Sequence, residues 1–173
     1  MGAPSRSGSG DEASGRRPGQ LQRALASVRV DFPRESRLPR PGRWAAAFIV
    51  AIAGSLAADA VLVALGTAVF PATKGYVHFR FSDYGKLTVI GVVIAGLAWP
   101  VVARISTSPR WLFFRLAVLV TLFLWLPDLW IWWKGQPAKA VAVLMTMHLA
   151  IALVTYNALI RLAPVRPDRG RRP

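Results

Sequence analysis

The sequence contains no cysteine, so disulfides, thiolate metal sites and cysteine nucleophiles are excluded. Acids are scarce: 8 Asp+Glu stand against 22 Lys+Arg, for a net charge of +14. No phosphate loop, dinucleotide fingerprint or serine nucleophile elbow occurs. No segment repeats at a fixed period. These absences remove the common soluble enzyme classes and imply no cofactor.

The chain is nonetheless 54% hydrophobic over 173 residues. Such an apolar majority is unusual beside so large a charge, unless the two properties occupy different stretches. They do. The charge lies at the two ends and in short connections, while the apolar residues form four runs long enough to cross a bilayer. A soluble globular enzyme and a simple basic nucleic-acid binder are both excluded as first readings. Aromatic residues do not interleave with the basic tails, as single-strand binding would require, so no nucleic-acid partner is expected.

The predicted architecture is an all-α membrane protein, a bundle of four transmembrane helices with short loops. Spans are expected near 44–70, 84–103, 111–127 and 140–160. Residues 1–43 read as a disordered basic leader, since their Gly, Ser, Pro and Arg bury too little apolar surface to offset ordering entropy. Within it, Leu21, Leu25 and Val28 fall at helical spacing, as in a short surface-lying amphipathic helix or as incidental leucines in a solvated tail. Residues 161–173 read as a basic tail. Val77, Phe79 and Phe81 alternate with His78 and Arg80, which predicts a short extended segment. Ser82 is the expected cap of the second span. Pro127 and Asp128 are expected to end the third.

Basic residues predict the orientation. The leader, the 104–115 region and the tail hold 17 of them, and the other two connections hold five. Cytoplasmic segments are enriched in Lys and Arg, so both termini are expected inside a plasma membrane. An even number of spans agrees. Trp44, Trp99 and Trp111 are expected at the inner interface; Trp125, Trp130, Trp132 and Trp133 are expected at the outer one. Arg40, Arg43, Arg104, Arg110 and Arg161 are the expected contacts to anionic lipid headgroups. Arg115 is expected to snorkel to that interface.

Asp59 most needs explaining. A carboxylate at mid-span costs roughly 2.5–3.5 kcal/mol on insertion scales. Ala47, Ala51 and Ser55 precede it at four-residue spacing, so it lies on a small-residue stripe that lets another helix approach. It is therefore expected to face the bundle interior. His148, at similar depth in the fourth span, is its expected partner, and together they form a candidate proton or ligand site. In the alternative, His148 bonds a backbone carbonyl or Thr155 and Asp59 acts as interhelical glue. Asp128 is the third candidate, on a face with Thr121 and Trp125. It reads as lining an outward mouth above His148, or as a solvated loop acid pairing with Lys134 or Lys139. It looks too shallow to complete a metal site, and none is expected. His78 reads as surface, and Met145 and Met147 as packing.

An acid in the first span, the Leu126–Pro127–Asp128 turn and the Met147–His148 pair together resemble a family of small four-helix membrane proteins of unknown function from high-GC bacteria. The resemblance covers roughly residues 44–162. It implies four spans and draws attention to Asp128 and His148, but implies no reaction. The leading functional reading is a non-enzymatic integral membrane protein, an accessory, scaffold or small transport-related subunit. It would meet the bilayer, anionic lipids, and a membrane-protein partner or further copies of itself. The alternative is a proton-coupled or small-solute carrier using Asp59 and His148. A membrane enzyme is third.

Overall fold

The computed structural model describes Ser27 and residues 38–165. The segment holding Leu21, Leu25 and Val28 and most of the basic tail lie outside the described residues. Four long helices carry the fold: α1 (Pro41–Val69), α2 (Phe81–Ile105), α3 (Pro109–Trp133) and α4 (Ala138–Leu162). Each is long and apolar enough to cross a membrane. The protein is an all-α, four-helix, multi-pass membrane protein.

Proline opens two of the helices. Pro41 and Pro109 stand in the first turns of α1 and α3, where a missing N–H removes no helical bond. The α1–α4 interface is the most extensive, with α2 against α1 and α3 against α4. It is built on the small-residue stripe: Ala47, Ala51, Ser55 and Asp59 are all 0% exposed. Gly54 and Gly66 continue the close approach. A Cβ on Gly54 would meet Val154 at 2.9 Å, and one on Gly66 would meet Val143 at 2.8 Å. Backbones this close gain dispersion contacts that lipid cannot supply.

The end formed by the start of α1 and the end of α4 has its own core of Ala47, Trp99, Val102, Phe113, Leu159 and Ala163. Trp99 is therefore a core residue and not the interfacial anchor expected from sequence. It is fully buried, and its indole N–H donates to the Ala163 carbonyl at 2.9 Å, just past the end of α4. Arg43 Nε donates to the Leu162 carbonyl at 3.1 Å. Both carbonyls lie where a helix end leaves its acceptors unsatisfied. Trp130, Trp132 and Trp133 are exposed at the opposite end, as an aromatic belt requires.

Three local expectations are corrected. The 77–81 segment is not extended: 3₁₀ turns form at Pro71–Thr73 and Val77–Phe79. A lone strand would leave its backbone groups without partners, whereas tight turns satisfy them internally. Ser82 does not cap α2. The helix starts at Phe81 after an extended Arg80, with no side-chain cap bond. Finally, α3 does not stop at Pro127 but runs through it to Trp133. A proline removes one helical bond, and the apolar residues 129–133 have better reason to stay helical than to expose backbone to lipid. The helix ends instead at Gly135, with φ 89°, where Gly135 N–H donates to Trp132 and Gln136 N–H to Ile131. This pair of bonds is a Schellman cap, and it needs the left-handed conformation that glycine adopts freely.

Candidate functional site: polar groups in one half of the bundle

Among the described residues, the buried carboxylates Asp59 and Asp128 and the imidazole of His148 lie in the half of the bundle away from the arginines. Asp59 and His148 each lie ten residues from the end of their helices nearest the 70–80 and 134–137 connections, at about 15 Å depth by the helical rise. Equal depth does not make them partners. The carboxylate beside His148 is that of Asp128, with Oδ2 2.9 Å from Nδ1. Asp128 reaches His148 because α3 continues to Trp133, which carries Asp128 below the helix end. The contact is an ion pair only when His148 is protonated. The His148 ring is 26% exposed although its Nδ1 is buried, so one nitrogen faces Asp128 while part of the ring reaches the molecular surface.

Asp59 is held by α2. Thr88 Oγ1 donates to Asp59 Oδ2 at 2.6 Å, and Asp59 Oδ1 is buried without a partner. An unsatisfied carboxylate oxygen in an apolar interior is costly, which marks it as a feature to be explained. Among the described residues no hydrogen bond or ion pair joins His148 to Asp59. One turn below Asp59, Ser55 and Thr155 bring their hydroxyls to 3.4 Å, so Thr155 serves the α1–α4 contact and not His148. Thr121 and Asp128 are buried on one face of α3, and Trp125 between them donates its indole N–H to the Met145 carbonyl at 3.1 Å. That bond ties α3 to α4 one turn from the His148–Asp128 pair. Met147 is core, packed with Tyr84 and Val143.

Tyr76, absent from the sequence reading, closes the chain above. Its hydroxyl is buried without a hydrogen-bond partner, and burial first, then the charge of Asp128, push the phenol above its ordinary pKa of 10.0. It is set there by the turn at Gly75, whose φ of 83° favours glycine, and by edge-to-face contacts with His78 and Phe79. A tyrosine between a glycine and a short apolar segment carries no distinguishing pattern. Only the folding of the 70–80 connection over the helix ends places it near Asp128.

The groups concerned are Tyr76, Asp128, His148, Asp59 and Thr88, with direct contacts between Asp128 and His148 and between Asp59 and Thr88. They come from one connection and all four helices. Among the described residues, no group of three or more His, Cys, Asp or Glu side chains is placed to hold a metal ion. The chemistry offered is proton exchange between carboxylates and an imidazole. The remaining expected residues lie at the other end: Arg40, Arg43, Arg104, Arg110 and Arg161 are all exposed there. Comparison with known proteins finds no matching family model, no matching curated protein and no matching solved structure.

Proposed function

We propose that the chain is a non-enzymatic accessory or transport-related subunit of the plasma membrane, with both termini cytoplasmic, in which the Asp128–His148–Asp59 chain exchanges protons with the outer side. The observation that carries this reading is Asp59: fully buried, bonded through one oxygen to Thr88, and unpartnered at the other. A group held this way in a span is a functional candidate because its insertion penalty needs a return. His148 supplies the step outward, since it contacts Asp128, which lies nearer the helix end. Asp128 holds the charged imidazole. The close α1–α4 packing favours a proton over a larger solute as the species handled, because Asp59 has no exposed surface.

The test is infrared difference spectroscopy on the reconstituted protein during an external pH step. A carboxylic acid C=O band is expected to appear and vanish with pH, to be lost in Asp59→Asn, and to respond more slowly in His148→Gln. The same band in Asp59→Asn as in the wild type would overturn the assignment. Orientation is tested separately, by reporter fusions at positions 75 and 135, expected outside, and 107 and 168, expected inside.

A further inference from the structure

We propose that the outward face of α3 holds a binding site for one anionic phospholipid, its phosphate on Arg115 and an acyl chain along Val118, Leu119 and Leu122. A groove of about 340 Å³ is lined by Phe114, Arg115, Val118, Leu119 and Leu122. The spacing from 115 to 118, 119 and 122 is that of one helical face. α3 buries only Phe113, Thr121 and Asp128 against the rest of the bundle, so this face looks outward to where lipid chains lie.

The headgroup chemistry follows from Arg115. It stands six residues into α3, about 9 Å from the helix start by the helical rise. Its guanidinium lies over the Trp111 ring, 3.7 Å from the centroid. Stacking occupies one face of the guanidinium and leaves its in-plane N–H edges for a bidentate oxyanion. Among the described residues no carboxylate is at hand, the acids there being Asp59, Asp83 and Asp128. Asp59 is bound to Thr88, Asp128 pairs with His148, and Asp83 lies in the first turn of α2 at the opposite end. Arg40, Arg43, Arg104, Arg110 and Arg161 share the Arg115 end. Among the described residues this end carries arginines and no carboxylate, so a guest with net negative charge complements it. The apolar lining below Arg115 requires that the phosphate carry a hydrocarbon chain. The site is independent of the proton-exchange reading and rests only on the chain's crossing a membrane.

The test titrates the full chain, purified and delipidated in uncharged detergent, with phosphatidylglycerol and phosphatidylcholine. Retained lipid is counted by native mass spectrometry. One phosphatidylglycerol per chain is expected to be held about tenfold more tightly than phosphatidylcholine, in line with a charge-assisted pair. Arg115→Gln is expected to erase that preference, and Arg115→Lys to restore part of it. Leu119→Trp, on an exposed face, fills the groove and is expected to block retention with Arg115 intact. Arg110→Gln is expected to leave the tight site in place. Equal retention of the two lipids, undiminished phosphatidylglycerol binding in Arg115→Gln, or full displacement by glycerol phosphate alone would each overturn the proposal. Should Arg115→Gln fail to insert, undiminished binding in Leu119→Trp overturns it.

Discussion

Trp44 donates its indole N–H to the carbonyl of Gly96 at 3.0 Å, and Gly96 is the residue whose carbonyl Pro100 leaves without a helical donor. The same glycine admits the Phe48 ring, which a Cβ at that position would overlap, and Trp44 stacks on Phe48 at 5.9 Å. One residue pair thus repairs a proline break and locks α1 to α2.

Trp44→Phe is expected to lower stability by about 1 kcal/mol, the net worth of one hydrogen bond whose acceptor is then stranded. In a Pro100→Ala background the new backbone N–H can serve Gly96, so the loss should shrink. Thermal unfolding of the four variants in detergent checks this. Equal losses in both backgrounds would refute the repair.

Thr88→Val preserves shape and removes the hydroxyl that holds Asp59. The buried carboxylate then has no donor, and a loss of about 1–3 kcal/mol is expected. Thr88→Ser should recover most of it. The comparison by chemical denaturation separates the bond from simple packing.

His148 and Asp128 should be coupled. Replacing either with leucine strands the other, while replacing both leaves an apolar contact. Interhelical polar couplings in membranes average about 0.6 kcal/mol and reach about 1.7, and an effect in that range is expected from a double-mutant cycle. The same cycle between His148 and Asp59 should give a smaller value, because no hydrogen bond or ion pair joins those two side chains. A larger His148–Asp59 coupling would reverse the assignment of partners.

Tyr76 predicts an alkaline effect. Its phenol is raised by burial and then by Asp128, so the folded state resists its ionisation more than the unfolded chain does. That contribution is complete below the unfolded value of 10.0 and is lost as pH rises through the folded one. Stability should therefore fall above pH 10, and Tyr76→Phe should flatten part of the fall. An identical alkaline profile in the variant would show that Tyr76 does not carry it.

Much of this fold is legible in the sequence. Four apolar runs declare four helices because each backbone must satisfy its own hydrogen bonds in lipid. Ala47, Ala51, Ser55 and Asp59 declare the buried face of α1, because four-residue spacing is a property of the helix itself. Candidate residues can be named for the same reason: a carboxylate and an imidazole inside apolar runs stand out wherever the helices pack. What the sequence leaves undecided is who meets whom. His148 could bond Asp59, Asp128, Thr155 or a carbonyl on local grounds alone. The choice fell to Asp128 because α3 continues past Pro127 and packs on α4, with Trp125 bonded to Met145. Likewise Tyr76 gained its place from the connection folding over the helix ends, and Trp99 left the interface for the core. Periodicity is a local property and survives in the sequence. Lateral partnership depends on helix ends, crossing and rotation, which only the packed bundle decides.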